Sequence, residues 1–277
     1  MTESTTEAAV DTRAIADEAF AVLGTGRQIT PFSSRFRGFA LDDAYEVAAA
    51  VRAMREARGE TPIGRKIGFT NRTIWEEYDV SAPMWGYVYD ATVHDLAAAG
   101  DGFPLAGLAE PQIEPEIVFG FAAAPDPDMD EAAILSCVEW LAHGFELVQS
   151  IFPGWKSQLP DTVAAYGLHG ALLIGPRHAV APDRERWLKS LAAFEIALSR
   201  DGEVVDRGRS ANVLGGPLSA LKHLVAVLAA DRANPPVAAG EIVTTGTLTR
   251  AFRVAAGQSW RTVPSGVGLD GIAIRFA

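Results

Sequence analysis

The sequence predicts an α+β fold, a mixed and mainly β-sheet body preceded by a smaller helical section. Three observations predict it. Apolar residues recur at helical spacing before residue 60, short β-rich runs dominate from residue 63 onward, and those runs do not alternate regularly with helices. The last point argues against a doubly wound parallel sheet. The expected division is a helical section over 1–60 and a β-rich part over 61–277.

Residues 1 to about 8 are polar and acidic and read as a disordered tail. Ile15, Ala16, Ala19, Phe20 and Leu23 then follow helical spacing, with Gly24 as a stop. Asp42 is a candidate cap for a second helix with Ala44, Val47, Ala48, Val51 and Met54 on its apolar face, ending at Gly59. Strands are expected at 63–69, 86–89, 112–121, 145–151 and 171–174. Further strands are expected at 193–200, 203–206, 241–245, 251–254, 259–263 and 271–276. Asp201-Gly202 signals a two-residue hairpin. Helices are expected at 130–142 and at 217–229, the latter opened by Pro217.

Composition narrows the function. The 277 residues are 48% hydrophobic and 21% charged, an ordinary globular balance with ample material for a core. A net charge of −11 provides no basic field for nucleic acid or anionic membrane. Cys137 is the only cysteine, which rules out an intrachain disulfide and a thiolate zinc cluster. The polar N-terminus lacks the pattern of a secretory signal, and no uninterrupted apolar run reaches bilayer length, so a cytoplasmic protein is expected.

Chemistry concentrates at 112–121. On a strand, Ile113, Pro115, Ile117, Phe119 and Phe121 share one face, and Gln112, Glu114 and Glu116 the other. Two like charges on one face of an apolar strand repel and resist burial, and a bound divalent cation would make the arrangement favourable. An exposed face with two solvated acids is the other reading. Glu146, an acid in the apolar run Phe145-Glu-Leu-Val148, is a third candidate. Three carboxylates without a histidine or cysteine pattern suit Mg²⁺ or Mn²⁺. Lys66, in a glycine-flanked strand, is a desolvated acid/base of lowered pKa, a partner for a substrate carboxylate, or a lysine snorkelling from a sheet edge. Asp90 ends a strand and is equally a turn residue. Thr244-Thr-Gly-Thr247 could hold a carboxylate on its backbone amides or be an ordinary turn, and His169 is the histidine most suited to face a site. Gly266-Val-Gly-Leu-Asp-Gly271 spells a dinucleotide fingerprint but leads into a strand pattern, so it reads as a turn.

Taken in order, several segments resemble the hydratase/decarboxylase branch of the fumarylacetoacetate hydrolase superfamily. They are Gly64-Arg-Lys-Ile-Gly-Phe-Thr70, Gly86-Tyr-Val-Tyr-Asp90, Gln112-Ile-Glu-Pro-Glu-Ile117, Phe145-Glu146, Asp161-Thr-Val-Ala164, Ala211-Asn-Val-Leu-Gly-Gly-Pro-Leu218, Gly240-Glu-Ile-Val-Thr-Thr-Gly246 and Gly266-Val-Gly268. The resemblance implies a mixed β-sandwich or roll of the fumarylacetoacetase C-terminal-like type with a smaller helical N-terminal part, in a homo-oligomer. It implies Glu114, Glu116 and Glu146 as ligands of Mg²⁺ or Mn²⁺, and Lys66 with Asp90 as an acid/base pair. It further implies substrate binding by Thr245, Gly246 and Thr247. The implied activity is hydration of a 2-hydroxy-2,4-dienoate or 2-oxo-enoate in aromatic catabolism. Decarboxylation of a 4-oxalocrotonate-type diacid and hydrolytic C–C cleavage of an acylpyruvate are the alternatives, and a non-catalytic metal-stabilised subunit is an alternative of another class. The chain departs from the family after Ala164, where an Asp-Asn-Ala-Ser-like run becomes Ala165-Tyr-Gly-Leu168. Tyr166 and His169 are the candidates to replace the lost polar groups at the substrate.

Overall fold

The computed structural model describes residues 10–72, 75–78, 80 and 82–277, so the expected N-terminal tail lies outside the described residues. Two helices come first, α1 (Thr12–Val22) and α2 (Leu41–Ala57). The Asp11 carboxylate accepts from Ala14 N–H to cap α1. In α2 the cap lies two residues earlier than expected: Ala40 is the N-cap, and Asp43 reaches back to accept from its N–H at 2.9 Å. Asp42 instead sits in the first turn, where a negative charge favours the helix dipole.

The chain continues through β1 (Pro62–Gly68), the short α3 (Trp75–Tyr78), β2 (Met84–Tyr89), β3 (Val93–Asp95) and β4 (Gln112–Phe121). Next come α4 (Glu131–Ser136), β5 (Val138–Val148), α5 (Leu159–Ala164), β6 (His169–Ala179) and α6 (Arg184–Ala192). After them follow β7 (Glu195–Arg200), β8 (Glu203–Arg209), α7 (Pro217–Ala230), β9 (Ile242–Thr244), β10 (Phe252–Arg253), β11 (Ser259–Ser265) and β12 (Ala273–Arg275). The β7–β8 hairpin turns on Asp201 and Gly202, both at positive φ as a type I′ turn requires.

The helix expected over 130–142 stops at Ser136. Residues 138–148 instead form the long strand β5, paired along its length with β4 from Phe121↔Val138 to Gln112↔Val148. Sheet pairing on both sides of β5 outweighs the local helical spacing. Helices α5 and α6 were not expected from the sequence.

The strands build two sheets. The larger runs β2-β1-β9-β4-β5-β6-β3 with β10 added beside β4, and the smaller runs β12-β11-β7-β8. Pairing is antiparallel except between β1 and β9 and between β3 and β6, so the fold is the mixed α+β roll the sequence implied. One face of the larger sheet packs α4, α6 and α7 through Phe119, Leu141, Trp187 and Leu224. Along its length that face also meets the smaller sheet through Phe145, Leu147, Leu198 and Trp260. The other face curls onto itself around Val88, Val118, Ala142, Leu172 and Ile174. A third cluster joins α1 and α2 to α5, tied by buried Asp161, which accepts from Ser33 N–H and the Gln158 N–H. Ser210–Ala230 is a helical run with mean hydropathy 1.6, long and apolar enough to cross a membrane, which the sequence reading did not single out. Its apolarity serves the core, where Leu221, Leu224 and Leu228 of α7 are buried.

Candidate metal centre

The β4–β5 register assembles the site. Glu114 stands directly opposite Glu146, and Glu116 opposite Gly144. Residues two apart on a strand share a face, so the three carboxylates converge on the inner side of the curled sheet, with an oxygen of each within 4.8 Å of the others. Glu116 and Glu146 are 0% exposed, which removes the solvated-acid reading for both. Glu114 is half-buried and lines a pocket. Lys66 arrives from β1 by way of β9, pairing with Thr244, which pairs with Val118. Its Nζ lies 3.4 Å from Glu146 Oε2.

The surrounding hydrogen bonds are specific. Glu116 Oε2 accepts from the Thr244 hydroxyl and, at 2.7 Å, from Gly246 N–H. Any Cβ at Gly246 would collide with Thr70 Oγ1, and its φ of +98° also requires glycine. Glu146 Oε1 lies 2.8 Å from His169 Nδ1, which must carry the proton because a carboxylate only accepts. His169 Nε2 then accepts from the Thr92 hydroxyl at 2.9 Å. Burial, with Lys66 nearby, holds the His169 pKa well below its usual value, so the ring is neutral.

Glu116 Oε1 and Glu146 Oε2 remain buried with no hydrogen bond. Burial raises the pKa of all three carboxyls, and for Glu114 and Glu116 mutual repulsion adds to it while Lys66 opposes it. At these separations each carboxylate pair repels by on the order of 3 kcal/mol at an effective dielectric of about 20. Three carboxylates against one ammonium leave two negative charges uncompensated, the charge of a divalent cation. The unpartnered Glu116 Oε1 and the all-oxygen donor set therefore fit a hard divalent ion.

Other expectations need correction. Burial pulls the Lys66 pKa down, but Glu146, Glu114 and Glu116 outweigh it, so the pKa stands above the ordinary lysine value rather than below. Asp90 is not brought to Lys66. It is exposed in the turn after β2, accepting from Thr61 and Ala91 N–H, while Lys66 pairs with Gly86, about 13 Å back along the strand. Tyr166 points away from the carboxylates and donates its hydroxyl to the Ala19 carbonyl in α1. His169 joins the cluster from behind Glu146 instead of lining the pocket. In the 245–247 loop, Thr245 N–H is taken by the Ile117 carbonyl and Gly246 N–H by Glu116. The carboxylate this loop holds is thus the protein's own. Thr247 does line the pocket, its hydroxyl donating to the Thr249 carbonyl.

Sequence reasoning missed site roles for Thr70 and Thr92, whereas Thr244 belongs to the 244–247 segment expected to hold a carboxylate and donates its hydroxyl to Glu116. Thr70 is fully buried, lines the pocket and has no partner for its hydroxyl. Its only sequence signal was its place four residues after Lys66. The Ala211–Leu218 segment acts at a distance, with Asn212 Nδ2 donating to the Leu248 carbonyl beside the loop.

The fold and site together define a mixed-sheet protein with a buried three-carboxylate cluster suited to a divalent cation, beside a small pocket lined by Lys66 and Glu114. The chain belongs to the fumarylacetoacetate hydrolase family: residues 76–266 match the fumarylacetoacetate (FAA) hydrolase C-terminal domain. It is 30% identical over 250 residues to the 2-hydroxyhexa-2,4-dienoate hydratase of Comamonas testosteroni, covering 90% of this chain and 92% of that one. It is 29% identical to the 2-keto-4-pentenoate hydratase of Paraburkholderia xenovorans, covering 91% of each. The 4-oxalocrotonate decarboxylase from Pseudomonas putida G7, solved with magnesium and adipate, has the same fold. It matches with a TM-score of 0.85 at 24% identity over 96% of this chain and 97% of that one.

Proposed function

We propose that this chain is a divalent-metal-dependent hydro-lyase that adds water to a 2-hydroxy-2,4-dienoate, or its 2-oxo-enoate tautomer, in aromatic catabolism. The observation that carries this reading is the buried three-carboxylate cluster, with Glu116 Oε1 unpartnered and Glu146 Oε2 met only by Lys66, beside a pocket lined by Lys66 and Glu114. The names of the two hydratases above support the reaction type. Glu114, Glu116 and Glu146 would hold Mg²⁺ or Mn²⁺. Such an ion supplies Lewis-acid stabilisation of developing enolate charge.

The remaining work falls to the chain's own groups. Lys66 keeps its proton in this carboxylate-rich setting and stands at the pocket wall, placed to deliver it from Nζ to a substrate carbon as the dienol ketonises. Thr70 Oγ1 offers a hydrogen bond to a substrate oxygen. His169 fixes the orientation of Glu146, and Thr244 with Gly246 fixes that of Glu116. We place the enzyme in the cytoplasm as a homo-oligomer.

Purified protein with Mg²⁺ or Mn²⁺ is expected to consume 2-hydroxypenta-2,4-dienoate or its longer homologues, and to stop when the ion is chelated. Substrates left untouched under both metals would reject the reading. Carbon dioxide release from a 4-oxalocrotonate-type diacid, in place of hydration, would assign the decarboxylase reaction. Loss of turnover in a folded Glu116→Ala variant excludes the non-catalytic subunit.

A further inference from the structure

The pocket beside the carboxylates is divided by polarity. Lys66, Glu114, Thr70, Asn71 and Thr247 supply polar groups. Phe69, Met84, Val148, Trp155 and Leu168 supply the rest of the wall, together with small residues, and these five belong to the hydrophobic cluster that packs α1, α2 and α5. Among the described residues, Lys66 is the only cationic side chain lining the pocket, and Glu146 already engages it at 3.4 Å.

Leu168 reaches this wall through an unusual backbone. Tyr166, Gly167 and Leu168 each have φ of +62°, a left-handed run that side-chain-bearing residues rarely enter. The turn lies against the strand opposite Lys66, where a Cβ on Gly86 would come within 2.8 Å of the Tyr166 carbonyl oxygen. Strain of this kind persists where the surroundings over-determine it. Here it places an apolar side chain beside Lys66.

We propose that Phe69, Met84, Val148, Trp155 and Leu168 select the substrate by its far end, accepting a monocarboxylic dienoate with an alkyl tail and rejecting one that ends in a second carboxylate. The proposal rests on the reading above that the carboxylate cluster takes the oxygen-bearing end of the substrate. A second carboxylate against this wall would lose its hydration with no cation to pair it. Each methylene buried there gains about fourfold in affinity until the wall is filled.

Saturated 2-oxo acids serve as non-reacting probes, titrated calorimetrically into the Mn²⁺-loaded protein. From 2-oxobutanoate to 2-oxohexanoate, Kd is expected to fall about fourfold per methylene. The length-matched diacid 2-oxoadipate is expected to bind at least about tenfold more weakly than 2-oxohexanoate. Leu168→Ser is expected to weaken 2-oxohexanoate more than 2-oxobutanoate. Equal or tighter binding of 2-oxoadipate, or affinity that does not rise with chain length, overturns the proposal. Dienoate turnover is scored separately. The expected binding order without turnover rejects the hydratase reading and leaves tail selection standing, and turnover with no probe binding overturns tail selection and leaves the hydratase reading standing.

Discussion

Glu116 is fully buried, held by two donors on one oxygen and by nothing on the other. Neutralising it as Glu116→Gln relieves repulsion in the metal-free protein while removing a ligand. The metal-free variant should melt no lower than wild type, and its Mn²⁺ affinity should drop by at least about 100-fold, beyond the usual loss for an outer-shell partner. Thermal melts with and without Mn²⁺ check both halves. His143 offers a second test. Its ring, buried between the Glu116 carbonyl and the Thr262 hydroxyl, has its pKa pushed down to about 4 by burial. The unfolded chain takes up this proton near pH 6.5 and the folded chain does not. The stability it contributes is whole above pH 6.5, roughly 3 kcal/mol, and is lost as the pH falls through 4. His143→Gln can keep both hydrogen bonds without titrating, so its unfolding free energy should fall less steeply between pH 6.5 and 4. Parallel pH profiles would refute this. The carboxylates were legible in the sequence because strand alternation is local and fixes which side chains share a face. Asp90 and Tyr166 were not, because which end of a strand meets the site, and which way a turn points its side chain, depend on partners far along the chain.

At the scale of elements, β5 shows the same limit. The run Val138-Glu-Trp-Leu-Ala142 satisfies a helix or a strand by its spacing, and only its neighbours β4 and β6 decide. By contrast the first two helices, the 201–202 hairpin and the strands around Lys66 and Glu116 carry their own caps, turns and alternation, and they formed within a few residues of expectation. The junction of β2 with the 166–168 turn is a close backbone approach that only glycine permits. Gly86→Ala should therefore destabilise the protein by about 2 kcal/mol through displaced backbone, read as a lower denaturant midpoint with an unchanged slope. An unchanged midpoint would mean that the turn shifts freely and is not held in place by the sheet.

Across the whole molecule, a curled sheet brings β1, β4, β5 and β9 to one inner face, so that residues from 66 to 246 meet at one set of carboxylates. A cation there links strands distant in sequence and binds the folded chain alone, so chelation should lower the melting temperature and Mg²⁺ or Mn²⁺ should restore it. The family was legible from ordered motifs because several of them supply the strands that carry Lys66, Glu114, Glu116 and Glu146 to one face. The tail specificity was not, since Phe69, Trp155 and Leu168 gather only in the folded pocket. The most direct test of the account is a calorimetric Mn²⁺ titration of the metal-free protein beside its Glu116→Gln variant. The account predicts one site per chain in the wild type and none in the variant over the same range. No stoichiometric binding, or binding that the substitution leaves unchanged, would contradict it.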